Sequence, residues 1–249
     1  MTLAYDGTAF HGFQTQANAR SVQGELETAL AVIAGHEVGV AGAGRTDTGV
    51  HATGQVAAFQ LEWRHPAQDL VRALNSRLPE DLAVLDAAAC DDRFHPRFSA
   101  ISRTYEYAIV AAAPYPMLGR YAWRMEALPD REAMQAAADR LVGEADFAAF
   151  GTAPTGAASG ETTVRRVLRA GWAAESVPFG REVWPGLRFT IEANAFLYRM
   201  VRRIVRALVR VGRGEWTPGD VETILKSGDP QRATGLAPAA GLCLVEVKY

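Results

Sequence analysis

The stretch AGAGRTDTGVHATGQ occupies residues 41–55 and says more about the fold and chemistry of the chain than any other segment. Its four glycines allow the backbone to turn sharply and to approach another molecule closely. Arg45, Asp47 and His51 lie between these glycines. Loops that present polar residues from a strand end are common functional positions. The stretch therefore predicts a strand, a glycine-rich loop and a candidate site.

Asp47 is the candidate catalytic residue of this loop. Arg45 precedes it by two residues, close enough in a loop for an ion pair that favours the charged carboxylate. A charged aspartate in a glycine-rich loop can act as a nucleophile or as a base. The alternative from spacing alone is an aspartate turn with a supporting arginine and no catalytic role.

Outward from this loop, the chain alternates short strands and helices. In the first half, hydrophobic spacing and turn signals predict helices from Ser21 to Gly35 and from Pro66 to about Arg77, with strands at 3–5, 38–41, 56–62, 82–86 and 101–110. In the second half, they predict helices at 130–142, 196–211 and 218–226 and strands at 163–172, 187–193 and 242–248. This alternation predicts an α+β protein with two similar halves, 1–112 and 113–249, around a central cleft. GTAPTGAASGET, residues 151–162, predicts a mobile surface loop.

Composition excludes several protein classes. Hydrophobic residues make up 49% of the 249 residues and charged residues 22%, which excludes a mostly disordered or collagen-like chain. The sequence lacks an apolar run long enough to cross a membrane. Its two cysteines, Cys90 and Cys243, form no CxxC motif, so two small buried side chains and a reducing, cytoplasmic location are expected rather than a metal site.

The charge distribution leaves room for a local basic surface. The formal net charge is only −2, but of the 26 basic residues all except Lys226 and Lys248 are arginines. On a helix, six of them fall within roughly a 100° sector, without an acidic residue between 199 and 213: Arg199, Arg202, Arg203, Arg206, Arg210 and Arg213. This stripe is either the solvated face of an amphipathic helix or a surface that contacts phosphates.

Tyr105 is a second candidate for the site. Arg103, Tyr105 and Tyr107 alternate along a predicted strand and therefore project from one face. From this alternation alone, Tyr105 is expected to pack within the sheet, and contact with a bound molecule is the alternative. We expect Tyr107 to lie in the core.

The segment GRTDTGVHATGQV closely resembles the motif of the tRNA pseudouridine synthase A family. The resemblance continues along nearly the whole chain, in the family's order, through these segments: AYDGT at 4–8, SVQGELETAL at 21–30, FHPRFSAISRTYEY at 94–107, NAFLYRMVRRIV at 194–205 and GLCLVEVKY at 241–249. It implies the pseudouridine synthase fold, with a mixed, largely antiparallel sheet and flanking helices. In this fold the half that carries the GRTD loop is catalytic, and the other half completes the cleft and the RNA surface.

The resemblance also implies an activity and assigns residues to it. It implies the isomerisation of uridine to pseudouridine at uridines 38–40 of the tRNA anticodon stem-loop. It places the catalytic aspartate, expected to be the nucleophile, on Asp47. It gives Arg45 an ion-pairing, site-organising and substrate-binding role, and it assigns contact with the target base to Tyr105. Its MVR motif supports Arg202 for RNA binding, and the arginine stripe adds Arg206 as an RNA-binding candidate. His51 and His95 are expected to give structural support.

The isomerisation involves no redox change and no group donor, so no cofactor or metal is expected. The resemblance implies a homodimer that binds the tRNA anticodon arm in the cytoplasm, with no DNA or membrane partner. The competing interpretation is a non-catalytic tRNA-binding protein. A hydrolase that cleaves at C1′ is the third possibility, but such enzymes typically need two carboxylates or a metal.

Overall fold

A computed structural model describes residues 1–153 and 162–249, so residues 154–161 of the expected mobile loop lie outside the described residues. The chain divides into two compact units. The first unit contains 1–101 and 243–249, and the second contains 102–242. The boundary expected between 112 and 113 does not coincide with this division, because strand Ser102–Ala111 pairs along its length with a later strand of the second unit.

The first unit contains two helices and five strands. They are β1 (Thr2–Tyr5), α1 (Val22–Ala34), β2 (Ala41–Gly42), β3 (His51–Ala58), α2 (Ala67–Asn75), β4 (Leu82–Asp86) and β10 (Leu242–Lys248). Within this unit the strand order is β4–β1–β3–β10, and β2 pairs with β3. All of these pairs are antiparallel except β3 with β10, which is parallel.

Helix α1 follows the local signals of its sequence. The Ser21 side chain accepts a hydrogen bond from the Gly24 backbone N–H at its start, and Gly35 ends it with a φ of 75°. The predicted apolar face packs into the core, with Val22, Leu26, Ala29 and Leu30 buried. Strand β4 likewise has the predicted bounds.

Strand β3 corrects the sequence prediction. The sequence predicts a strand only from Val56, after a loop through Gly54, but β3 begins at His51 and ends at Ala58. The early start comes from pairing: His51 and Ala52 are aligned with residues of β10, and Ala52 is also aligned with Tyr5 of β1. These partners are distant in sequence, so local composition does not reveal them.

The second unit contains three helices and five strands among its described residues. They are β5 (Ser102–Ala111), β6 (Trp123–Met125), α3 (Arg131–Ala138), β7 (Gly143–Asp146), β8 (Val164–Phe179), β9 (Glu182–Ala193), α4 (Met200–Gly212) and α5 (Pro218–Ser227). The strand order is β5–β9–β8–β7, all antiparallel, and β6 pairs in parallel with β5. Helix α3 packs against β8, α4 and α5. The predicted α+β class with a largely antiparallel sheet is therefore confirmed.

Two elements of this unit differ from the sequence prediction. The hairpin of β8 and β9 is longer than expected, because backbone pairing continues to Phe179 and Glu182. Helix α4 begins at Met200 rather than at Phe196. The reason for the late start is the left-handed backbone of Arg199, whose φ is 62°, together with an isolated strand-like bridge between Thr152 and Tyr198.

The described residues include no helix that is long and apolar enough to span a membrane. The expectation that both cysteines are buried is wrong, because Cys90 is exposed and Cys243 is half-buried. Cys90 lies in the segment that follows β4, outside any helix or strand.

An ion pair joins the start of α1 to the start of β4 in the first unit. The guanidinium of Arg20 donates two parallel hydrogen bonds to the carboxylate of Asp81, of 2.7 and 2.8 Å, and a third of 2.7 Å to Glu25. The same guanidinium lies 4.2 Å from the centre of the Phe10 ring. Hydrogen bonding to Arg20 holds the pKa of Asp81 below its usual range.

We expect Asp81→Asn to lower the free energy of unfolding at pH 7 by about 1 to 2 kcal/mol. A carboxylate whose pKa is lower in the folded state than in the unfolded state stabilises the fold at pH values above its unfolded pKa, about 3.9. This stabilisation is lost as the pH falls through the lower pKa of the folded state. The difference between the two proteins should therefore disappear in strong acid. Urea unfolding across an acid series tests this, and a difference that stays constant down to the lowest pH contradicts it.

Candidate active site

Asp47 opens a tight turn that leads into β3. The backbone N–H of Val50 donates to the carbonyl of Asp47 at 3.1 Å, and Gly49 has a φ of 78°. This left-handed value at the third position is what a type II turn requires, and glycine adopts it without steric cost. Asp47 itself is half-buried. The turn thus fixes its backbone while leaving part of the residue accessible.

The segment before α1 holds the Asp47 loop on both sides of the aspartate. The N–H of Phe13 donates to the carbonyl of Thr46 at 3.1 Å, one residue before Asp47. The N–H of Gly49 donates to the carbonyl of Phe10 at 3.3 Å, two residues after it. Phe10 and Phe13 are both buried, so the loop is attached to a part of the core. A site built on such fixed backbone holds its functional groups more precisely than a free loop does.

Three buried side chains that the sequence analysis did not single out lie beneath this loop: Tyr5, Thr46 and Gln55. The Tyr5 and Thr46 hydroxyl oxygens are 2.8 Å apart, and the Gln55 amide contacts Tyr5 and both backbone groups of Gly44. Burial raises the pKa of Tyr5 to about 12, so its hydroxyl stays protonated at neutral pH. Tyr5 lies in the AYDGT segment and Gln55 in the GRTDTGVHATGQV segment, but only the fold brings them together.

Arg45 does not form the ion pair expected from its spacing to Asp47. Its side chain is exposed, and over the described ranges 1–153 and 162–249 it makes no hydrogen bond or ion pair. Thr46, which lies between Arg45 and Asp47 in the sequence, is buried. A guanidinium in this position presents five donors to solvent or to a ligand.

His51 and Asp6 support the neighbouring backbone. Nδ1 of His51 lies 3.0 Å from the backbone nitrogen of Gly7 and 3.2 Å from a carboxylate oxygen of Asp6. Asp6 also accepts from the N–H and the hydroxyl of Thr8 and caps a single 3-10 turn. Similarly, Nδ1 of His95 accepts from the N–H groups of Arg97 and Phe98.

Tyr105 lies in β5 of the second unit, aligned with Ile191 of β9. It is 8% exposed, and its ring packs edge-on against Phe196, with 5.1 Å between the ring centres. Tyr107, two residues later, is fully buried as expected. Its hydroxyl donates to the carbonyl of Pro238 at 2.8 Å, and burial raises its pKa.

Arg202 and Arg206 lie on α4 of the second unit, and both are half-buried. Nε of Arg202 donates to the carbonyl of Ala237 at 2.9 Å, and the N–H of Ala237 donates back to the carbonyl of Arg202. The guanidinium of Arg206 lies 5.7 Å from the centre of a Trp123 ring. The apolar side of the helix is buried as predicted. The arginine stripe is thus partly engaged with its own unit rather than fully solvated.

In the part of the chain that the structure describes, no group of three His, Cys, Asp or Glu residues is placed to hold a metal ion. The site residues fall into both compact units: Asp47 and Arg45 share one loop of the first, and Tyr105, Arg202 and Arg206 belong to the second.

The chain is similar to a known protein family over most of its length. A family described as tRNA pseudouridine synthase matches residues 1–99 and 137–249. Asp47 and Arg45 fall in the first matched segment and the α4 arginines in the second, while Tyr105 falls between them.

Relatives that align with the whole chain also include the residues between these two matched segments. The chain is 43% identical to a tRNA pseudouridine synthase A of Xanthobacter autotrophicus, over 100% of this chain and 98% of the relative. It is 45% identical to one of Solidesulfovibrio magneticus, over 100% of this chain and 90% of the relative. It is 39% identical to one of Geobacter sp., over 100% of this chain and 97% of the relative. With the aspartate loop folded on fixed backbone and the match extending over the whole chain, this protein belongs to the tRNA pseudouridine synthase family.

Proposed function

We propose that this chain isomerises uridine to pseudouridine in tRNA, at uridines 38–40 of the anticodon stem-loop, with Asp47 as the nucleophile. The observation that supports the proposal most directly is the position of Asp47. It is half-buried on a type II turn, inside a segment that the family match includes, and the loop is hydrogen-bonded to the chain on either side of it.

The reaction balances without a further reactant. The bond between N1 of uracil and C1′ of the ribose breaks, the base turns, and C5 joins C1′. C5 loses a proton and N1 gains one, so no electrons are transferred. The carboxylate can attack C1′, attack C6 of uracil or remove a proton on a glycal route. Each route needs an ionised and well-positioned carboxylate, and the two backbone attachments of the Asp47 loop supply the positioning.

A uridine in a stem must leave its stack before a carboxylate reaches C1′ or C6. Such extrusion costs a few kcal/mol, which contacts to the backbone and the base must offset. We assign Arg45, exposed next to Asp47, to the extruded nucleotide and its phosphates. We assign Tyr105 to contact with the target base, since stacking of a base on an aromatic ring contributes roughly 1–3 kcal/mol.

The proposal includes a homodimer that acts on the tRNA anticodon arm in the cytoplasm, as the resemblance implies. Mapping of pseudouridine in unmodified tRNA transcripts, treated with the protein and no cofactor, tests the proposed position. Pseudouridine at one or more of positions 38–40 is expected. Modification at other positions only would refute the anticodon assignment. Tight tRNA binding without any pseudouridine would support the non-catalytic tRNA-binding alternative.

We expect replacement of Arg202 and Arg206 together by alanine to flatten the salt dependence of tRNA binding. Removal of a side chain that neutralises one phosphate reduces the slope of log affinity against log salt by about 0.7 to 0.9. Fluorescence anisotropy with labelled tRNA at several salt concentrations measures this slope.

The double replacement Arg72→Ala and Arg93→Ala is the matched control, because both side chains are largely exposed on the first unit. A thermal unfolding curve shows whether removal of the Arg202 bond to Ala237 has instead disturbed the fold. An unchanged slope in a folded Arg202 and Arg206 variant would show that these residues do not bind RNA.

A further inference from the structure

Hydrogen bonds join the side chains of Tyr5, Thr46 and Gln55, named here the Tyr5–Thr46–Gln55 network. The Gln55 Nε2 group donates to the carbonyl of Gly44 at 2.8 Å and to the Tyr5 hydroxyl at 3.4 Å. The Tyr5 hydroxyl also shares a hydrogen bond of 2.8 Å with Thr46 Oγ1, in which either hydroxyl can donate.

The Gln55 amide hydrogen-bonds to both backbone groups of Gly44 in the loop. Its Oε1 accepts from the N–H of Gly44 at 3.3 Å and from the N–H of Val56 at 3.2 Å, while Nε2 donates to the Gly44 carbonyl. Exchange of the amide oxygen and nitrogen would place donors against donors, so the amide has only this orientation. Gln55 is fully buried, and its hydrogen bonds to Gly44 and Val56 are partly buried.

The network determines which way the loop residues face. Gly44 is held by Gln55, and the Thr46 side chain points inward to Tyr5 and is buried. On either side of the buried Thr46, Arg45 is exposed and Asp47 is half-buried. Rotation of Thr46 out of its pocket would turn both neighbours away from their positions.

We propose that Tyr5, Thr46 and Gln55 are positioning residues for the isomerisation, which act by holding Arg45 and Asp47 in their outward orientation. This inference rests on the proposed role of Asp47. None of the three side chains contacts the substrate in this account. Their effect belongs to the chemical step rather than to tRNA binding, since the affinity for tRNA depends on a wider surface.

Near-isosteric variants test the network. Tyr5→Phe removes only the hydroxyl, and Thr46→Val replaces the hydroxyl with a methyl group of similar size. We expect each to lower the single-turnover rate of tritium release from tRNA labelled at uridine C5 by about 10- to 100-fold, because small displacements of a catalytic group have effects of this size. The affinity for tRNA should change less than about twofold. Thr46→Ser, which keeps the hydroxyl, should restore most of the rate.

Because the residues act as one unit, the double variant Tyr5→Phe with Thr46→Val should be little slower than the worse single variant. The control is Tyr107→Phe, which removes a buried tyrosine hydroxyl hydrogen-bonded to Pro238 in the second unit. Its rate should stay close to that of the native protein even where its stability falls.

The outcomes separate this inference from the proposed function. If the native protein releases no tritium, the proposed function fails. If the native protein is active and both Tyr5→Phe and Thr46→Val keep its rate, the positioning role alone fails. Equal loss of rate in Thr46→Val and Thr46→Ser would also overturn it, because the hydroxyl would then not be the cause.

Discussion

Replacement of Asp47 by asparagine is expected to abolish pseudouridine formation and to leave tRNA affinity within a few-fold of the native value. Asparagine has nearly the same shape as aspartate, so the turn between Asp47 and Val50 should persist. Its amide is neither an effective nucleophile nor a base. Loss of a residue that attacks the substrate typically lowers the rate by about 10⁴-fold or more. Tritium release and anisotropy, measured on the same preparation, separate turnover from binding.

The matched control for this change is Asp92→Asn, an exposed aspartate of the same unit that lies outside any helix or strand. It should keep the native rate. Substantial turnover by Asp47→Asn would show that the nucleophile has been assigned to the wrong residue. Loss of both turnover and binding would instead indicate that the asparagine has disturbed the loop.

Gly7→Ala is expected to destabilise the first unit and to inactivate the protein. Gly7 is buried against the turn that Asp47 opens, and a Cβ at this position would overlap the carbonyl of Val50. Backbone atoms on a turn cannot move aside as the end of a flexible side chain can. The added methyl group must therefore displace either the Gly7 turn or the Asp47 turn. We expect a cost of about 3 kcal/mol in the free energy of unfolding and a rate loss of about 100-fold.

Gly39→Ala is the matched control, because a Cβ there would meet no atom within 4 Å and Gly39 does not have a positive φ. Urea unfolding should give native stability for this variant and a clearly lower midpoint for Gly7→Ala. If the two variants are equally stable, the close approach of Gly7 to Val50 does not constrain the loop.

Local signals in the sequence predict the elements whose causes are local. Ser21 caps the start of α1 and Gly35 ends the helix. Each of these signals can be recognised from residues within one helical turn. The apolar side of α4 follows from its 3.6-residue spacing. The largely antiparallel sheet comes from the family resemblance rather than from periodicity. It is confirmed by the observed pairing.

Features that depend on distant residues are not predictable in this way. Strand β3 begins at His51 because β10, close to the C-terminus, pairs with it there. The start of α4 depends on the left-handed backbone of Arg199, which the helical pattern of the sequence conceals.

In the candidate site, spacing places Asp47 correctly within a turn but suggests an ion pair to Arg45. That prediction fails because the Arg45 side chain is exposed, and a separation of two residues does not specify which way a side chain in a loop extends. The Tyr5–Thr46–Gln55 network escapes sequence reasoning for a related cause. Thr46 and Gln55 lie in the glycine-rich stretch, but Tyr5 lies 41 residues before Thr46. Each of the three is of a residue type that is ordinary in a strand or loop. Pairing of β1 with β3 is what brings Tyr5 and Gln55 within reach of the loop.

The most direct test of the central claim is tritium release from unmodified tRNA labelled at uridine C5, with no added cofactor. Formation of the C5–C1′ bond must expel this hydrogen, whereas binding alone or cleavage at C1′ leaves it in place. We predict release by the native protein and by Asp92→Asn, and none by Asp47→Asn. Tight tRNA binding by the native protein without tritium release would contradict the account and favour a non-catalytic tRNA-binding protein.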